Sequence, residues 1–225
     1  MQLKPIKLSQ EGEQWLAWRD SGIGASESAI IMGALPFKWN DVLELWKKKT
    51  KMVEDDFEMN EAMAQGKALE PEAREKYIEV TGISVEAECY EHPEFPFIKA
   101  SLDGINHENN MVVEIKCPGL GKFMIAKKGE LVDYYYSQVQ QQIACTDADF
   151  AHYWVYRQKE GGVLIKVPRN DVYIKELVRR STIFWDGVEA KKPVLPRDLG
   201  IDMRKDVDPY VAGNMDVELI GHYKN

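Results

Sequence analysis

Apolar positions recur at helical spacing in some stretches of the chain and alternate with polar ones in others, and the changes of period divide it into elements. EQWLAWRDSG (13–22) reads as a short helix with Trp15 and Trp18 on one apolar face, stopped near Gly22. GASESAIIMG (24–33) opens with small residues suited to a helix start and ends at Gly33. In NDVLELWKKKTKM (40–52), Asn40 is the N-cap and Val42, Leu45 and Trp46 form the inward stripe. A longer helix is predicted over 60–81, with Met63, Leu69, Ala73 and Tyr77 inward, a kink or restart at Pro71 and an end at Gly82. Strand patterns follow at 83–90, 96–105 and 111–117. A helix-rich stretch over 120–145 precedes a hairpin, FAHYWVYRQ and GGVLIKVP, around Glu160–Gly162. A last amphipathic helix begins at Asn170 as N-cap, and the polar chain after Pro193 is expected to be irregular. The order implies an α/β domain in which a small sheet is flanked by helices.

At 225 residues, 44% apolar and 10% aromatic, the chain is long enough to bury a sizeable core. No run of eighteen apolar residues suggests a membrane span, and MQLKPIKLSQEGEQW lacks the apolar segment of a signal peptide. Cys89, Cys117 and Cys145 lie far apart without a CxxC, and the histidines form no HxxxH. No disulfide scaffold, zinc site or iron–sulfur site is expected, and the reducing cytoplasm is the expected compartment. A net charge of −8 argues against a protein that coats nucleic acid non-specifically. Acidic residues crowd 51–100, however, while basic ones outnumber them over 151–200. A molecule polarised in this way can still present a cationic groove to DNA.

Residues 101–119, SLDGINHENNMVVEIKCPG, carry the candidate chemistry. If the chain turns at Asn-His-Glu-Asn-Asn, Asp103 and Glu114 come roughly opposite one another. Glu114 and Lys116 then share one strand face while Val113 and Ile115 point the other way into apolar core. Two carboxylates and one ammonium converge. Hard oxygen ligands suit Mg²⁺ or Mn²⁺, and one or two such ions could polarise a phosphodiester and activate a water. Lys116 could position or deprotonate that water, or neutralise charge on the phosphate. The plain alternative is a surface hairpin with an ion pair, which such triplets usually are.

Asp103 followed by Glu114-x-Lys116 is similar to the PD-(D/E)xK nuclease signature, with Leu102 in the place of the usual proline. WLAWRDSGIGASESA, SLDG, VEIKCP and YYYSQVQQQI, in that order and spacing, resemble the lambda-type phage exonucleases (the YqaJ-type viral recombinase family), over about residues 13–158. The resemblance implies a restriction-endonuclease-like core that degrades linear duplex DNA from 5′ ends with Mg²⁺, two ions being expected. It assigns Asp103, Glu114 and the Ile115 backbone carbonyl to the metal, Lys116 to catalysis and Gln138 to the active-site glutamine. Glu70 matches a helix-borne acid near the metal, although in so acidic a region it could simply face water. Ser26 and Ser101 match phosphate-contacting serines. Arg19, seven residues before Ser26, matches the arginine that holds the 5′-phosphate, which an arginine fork grips bidentately. Backbone amides beside Ser26 would add to that anion site.

Such enzymes leave 3′ single strands, so the resemblance also implies a single-strand-annealing partner, a phage or prophage setting and a homotrimeric ring around DNA. The expected organisation is a nuclease domain over 1–192 and an irregular tail over 193–225 that could serve as an interface. For a run of glutamines a solvated helix face is the ordinary reading; Gln141 and Gln142 share a face with Gln138 and stay open. Trp15, Trp18 and Trp46 are expected in the core, Cys117 in packing, and Arg179 and Arg180 as solvated cations. The nearest rival is a nuclease of the same core that cuts internally or at a flap; the Arg19–Ser26 block makes sense if a terminal phosphate must be held. A non-catalytic DNA-end-binding protein is the other reading, against which Asp103, Glu114 and Lys116 stand together.

Overall fold

In the computed structural model, which describes residues 4–10, 12–34, 41–53, 60–202 and 216–224, the chain opens with helix α1 (Glu13–Asp20) and a two-residue strand β1 (Ile23–Gly24). A 3-10 turn (Ala25–Glu27) runs into α2 (Ser28–Met32), and helices α3 (Asp41–Lys49) and α4 (Glu61–Thr81) follow. Strands β2 (Cys89–Glu91), β3 (Ile98–Ser101), β4 (Gly104–Asn106) and β5 (Met111–Lys116) come next, then α5 (Leu120–Lys127) and α6 (Asp133–Thr146). The hairpin β6 (Phe150–Arg157) and β7 (Gly161–Pro168) leads to α7 (Asp171–Glu189), a second 3-10 turn (Pro196–Leu199) and β8 (Glu218–Tyr223). The expected Asn40 cap and inward Met63 side chain lie outside the described residues. No helix among the described residues is long and apolar enough to cross a membrane.

Alternation along β5 sets the layers. Val112 packs with α6 residues Tyr136, Val139 and Ile143, whereas Met111, Val113 and Ile115 face Ala73 and Tyr77 of α4. Strands β6 and β7 repeat the pattern, with Tyr153, Val155 and Ile165 on the α6 side and Trp154, Tyr156 and Leu164 on the α4 side. Both faces of this sheet are therefore covered, as its continuous apolar strands require. Its order is β4-β5-β6-β7-β8, with β5 and β6 parallel and the other pairs antiparallel. A second sheet, β1-β3-β2, has β1 parallel to β3. Close packing is strictest at Gly162, where a Cβ would come within 1.9 Å of the Trp154 ring.

Several expectations are corrected. The predicted strand at 96–105 is two strands in two sheets, broken at Leu102 and Asp103. Of 83–90 only the end is a strand, with Glu86 making a single bridge to Ile105. Helix α4 runs through Pro71 without restarting. Proline removes one helical hydrogen bond, and the burial of Ala73 and Tyr77 just beyond it holds the helix in place. The described part of the tail is not irregular: Leu199 and Ile201 pack beside Trp46 and Phe184, and β8 extends the main sheet along β7. Asn170 does cap α7, its Oδ1 accepting from the Tyr173 amide at 3.0 Å.

Of the pair expected to be solvated, Arg179 is exposed, whereas Arg180 is buried and structural. Arg180 is 1% exposed and donates to Met32 O at 2.8 Å and to Glu176 Oε1 at 2.7 Å, tying α7 to α2. Arg179 bonds the same carboxylate and Leu199 O. Hydrogen bonds from Arg179, and with them those from Arg180, hold the Glu176 carboxyl below the ordinary range against the opposing effect of burial. Arg180→Ala leaves Glu176 and the Met32 carbonyl without this partner, and should lower unfolding free energy in urea by about 3–5 kcal/mol at neutral pH. A depressed carboxyl stabilises above its unfolded pKa and loses that contribution as pH falls through the folded value. The gap between parent and variant should therefore narrow in acid.

Candidate active site

The break in the strand at Leu102 and Asp103 builds the site. Leu102 is buried and Gly104 has no room for a side chain, since a Cβ there would lie 2.8 Å from Val85 Cγ2. Asp103 is thus held where the chain leaves one sheet for the other. The register Gly104↔Val113 continues to place Asp103 opposite Glu114, and Asp103 Oδ2 accepts the Ile115 N–H at 2.7 Å. In a strand the N–H and C=O of one residue point to the same side, so the Ile115 carbonyl is also aimed past the end of β4 toward Asp103.

Glu114 points the other way from Val113, under α6, and is 1% exposed. Gln138 Nε2 donates to its Oε1 at 2.7 Å, Gln142 Nε2 donates to its Oε2, and the Lys116 ammonium pairs with Oε1. Burial works against the Lys116 charge, but Glu114 and then Asp103 outweigh it and raise its pKa, so it is an ammonium at neutral pH. It also lies 5.0 Å from the centre of the Tyr135 ring. Burial and the Glu114 charge push the Asp103 carboxyl well above the usual range, with Glu70 adding to the effect; Lys116 and the Ile115 amide oppose it.

Two clefts meet at this point. One of about 680 Å³ is lined by Trp15, Arg19 and Ser101, the other of about 810 Å³ by Lys116, Lys122 and Tyr134. Ser26, Lys67, Glu70, Asp103 and Gln138 line both. In the first cleft Arg19 Nη2 donates to Ser26 Oγ at 3.4 Å, and its guanidinium lies 4.6 Å from the Trp15 ring centre. Trp15 Nε1 in turn donates to Ser101 Oγ at 2.9 Å, so one indole links Arg19 to Ser101. Trp15 and Trp18 therefore line the cleft instead of entering the core, whereas Trp46 is buried as expected. The Gly24 amide is already taken by Glu27 Oε2 at 2.8 Å.

The structure brings together Asp103, Glu114, Ile115, Lys116 and Gln138, with Glu70 at the shared wall and paired to Arg74 at 2.9 Å. Arg19, Ser26 and Ser101 sit in the adjoining cleft. Cys117 borders the second cleft, its thiol pushed up to about 12 by burial and neighbouring acids, which keeps it unreactive. Among the described residues no three His, Cys, Asp or Glu side chains are gathered tightly enough to hold a metal by themselves. Two carboxylates, a backbone carbonyl and open space fit Mg²⁺, which keeps waters and phosphate oxygens in its shell. Sequence reading left Gln142 open, although the signal was present in its position one helical turn after Gln138.

A family model described as the YqaJ-like viral recombinase domain matches residues 14–149. An uncharacterized protein of Bacillus subtilis (strain 168), YqaJ, is 26% identical over 178 residues, which are 77% of this chain and 55% of that protein. The chain thus spans about half the length of the curated relative it matches. Among solved structures, an alkaline exonuclease (LHK-Exo) from Laribacter hongkongensis superposes with a TM-score of 0.71 at 29% identity, covering 80% of this chain and 94% of that one. The same enzyme in complex with dAMP matches equally. A phage-related exonuclease from Haemophilus somnus 129PT shares the fold, with a TM-score of 0.57 at 17% identity over 76% of this chain and 96% of that one.

An acid whose pKa is raised by folding costs stability wherever its unfolded form is ionised. Asp103→Asn keeps an acceptor for the Ile115 amide and removes one charge from the cluster. The variant should melt about 2–4 °C higher than the parent in metal-free neutral buffer, the shift that about 1 kcal/mol gives in a chain of this size. The gain should vanish at acid pH, where Asp103 is protonated in both states.

Proposed function

The chain belongs to the YqaJ-like viral recombinase family, and on that premise we propose that it is a Mg²⁺-dependent 5′→3′ exonuclease acting on 5′-phosphorylated ends of linear duplex DNA. One observation carries the reading: the Asp103–Glu114–Lys116 centre opens directly into the cleft that holds Arg19 and Ser26. A nuclease that cuts anywhere needs no terminal phosphate site, whereas an exonuclease must measure from an end.

Asp103, Glu114 and the Ile115 carbonyl would hold the cation, with Glu70 beside them; Mn²⁺ is a workable substitute and two ions are expected. When bound, Mg²⁺ supplies Lewis-acid polarisation of the phosphodiester and lowers the pKa of a water. Lys116, as an ammonium, neutralises charge that develops on the phosphate and orients the attacking water. Gln138 fixes Glu114 from above, and Arg19 grips the terminal phosphate in a fork oriented by the Trp15 ring. The second cleft, with Lys122 over Tyr134 at 5.3 Å, offers a cation and an aromatic wall to the continuing strand. The 3′ strand left behind would pass to a single-strand-annealing protein. Three copies closed into a ring would let an acidic chain turn its cations inward, with the work done in the cytoplasm of a bacterial host.

The test is nucleotide release from linear duplex with Mg²⁺, comparing 5′-phosphate with 5′-hydroxyl ends and including a closed circle. Release from phosphorylated linear ends alone is expected; cutting of the circle would replace the reading with an endonuclease. Glu114→Ala should abolish release, and Lys116→Ala should slow it by about 10²–10³-fold, the usual effect of deleting one electrostatic stabiliser. Arg19→Ala should digest both kinds of end at the same rate, and retained discrimination would move the phosphate site elsewhere.

A further inference from the structure

Glu114 is held from three directions, and the proposed reaction uses only two of its holders, Gln138 and Lys116. The third, Gln142, is fully buried on α6 one turn beyond Gln138, with its Nε2 donating to Glu114 Oε2. Its own Oε1 has no hydrogen-bond partner among the described residues. A buried amide oxygen left unsatisfied is destabilising. An apolar side chain of the same volume would avoid that cost, so it is the donor half of this glutamine that the site requires.

An ionised carboxylate offers about four lone-pair positions. On Glu114, Oε1 receives Gln138 and Lys116, and Oε2 receives Gln142. Among the described residues, that leaves one position, on Oε2. We propose that Gln142 is a positioning residue of the cation site, which restricts Glu114 to a single free oxygen position. It thereby favours Mg²⁺ over larger cations. Mg²⁺ is small, octahedral and content with one oxygen from each carboxylate, whereas Ca²⁺ takes more ligands and readily uses both oxygens of one carboxylate. The inference rests on the assignment of Asp103 and Glu114 as cation ligands. A Gln142 that merely fastened α6 to β5 would alter stability and leave cation preference untouched.

The experiment is titration calorimetry of the full chain without DNA, using Mg²⁺ and Ca²⁺ separately, on the parent and on Gln142→Met, with melting temperature recorded alongside. Gln142→Met is expected to weaken Mg²⁺ by about 10–100-fold, as loss of a ligand-orienting partner does, while Ca²⁺ weakens less or tightens. Affinities for both cations within twofold of the parent, whatever the melting temperature, would overturn the proposal. A parent that binds neither cation would remove the metal centre and the inference together; a parent that binds Mg²⁺ leaves the metal reading standing even where the Gln142 variant behaves like it. Should Gln142→Met not fold, the parent itself decides by NMR. The Gln142 side-chain amide should shift along the Mg²⁺ binding curve while that of Gln141, bonded to the Ile23 and Lys99 carbonyls, stays in place. A stationary Gln142 signal would refute its role.

Discussion

A carboxylate with almost no exposure, Glu114, sits between the main sheet and α6, and much of the site is arranged around it. Placing such a group in the interior is costly unless its oxygens are fully engaged. The partners come from two elements only: Lys116 on the same face of β5, and Gln138 and Gln142 on α6. That requirement makes the inner face of α6 polar where a packed helix is normally apolar. The same face docks the helix. Gln141 Nε2 donates to Ile23 O at 2.8 Å and Lys99 O at 2.9 Å, and Gln140 Nε2 donates to Pro168 O at 2.8 Å. Glutamines therefore fasten α6 to both sheets while two of them hold the acid. Fold and site geometry are coupled through one helix.

The second constraint is the chain's change of sheet at Leu102 and Asp103. A continuous strand would have put Asp103 in a ladder with neighbours on either side. The break turns its carboxylate toward the free edge of β5, beyond the last pair of β4, where the Ile115 N–H and C=O are also directed. The edge is open because β4 is only three residues long. Helix α1 completes the wall of the cleft without entering the core. Its Trp15 is fixed at one end by Ser101, which lies on the strand just before the break, and carries Arg19 on its face. Arg19, through Trp15 and Ser101, and the Asp103 carboxylate are thus held in register by a single short segment, 101–103.

The elements legible in the sequence were those with strong period or strong punctuation. The Asn170 cap, the hairpin turn before Gly161 and the Val42–Leu45–Trp46 stripe needed no tertiary information. The acid pair and lysine were legible because strand alternation fixes which side chains share a face. What the sequence concealed depends on partners distant in the chain. Trp15 and Trp18 read as core because aromatic residues usually are, but the surface opposite them is a cleft bordered by Ser101 and Lys99. Arg180 read as solvated because nothing local foretells the Met32 carbonyl, 148 residues away. The strand β8 is short and half polar, and only the edge of β7 makes it a strand. Gln142 stood between these cases: its face was evident, but the carboxylate it meets lies 28 residues earlier in the chain.

An overall charge of −8 and the proposed phosphate-rich substrate are compatible because the two act over different distances. Near physiological salt, exposed charges are largely screened beyond about 8–10 Å, so acids far from the clefts contribute little to the field there. Arg19, Lys67, Lys116 and Lys122 line the clefts, where on the proposed reading they would face the phosphates. Against them stand Glu70, Asp103 and Glu114, with Glu114 held by Gln138, Gln142 and Lys116 and Asp103 left with its carboxyl raised. A purely stabilising design would have placed an amide where Asp103 stands. On the proposed reading, retaining the Asp103 carboxylate keeps a place to which a divalent cation would be drawn even before a phosphate arrives.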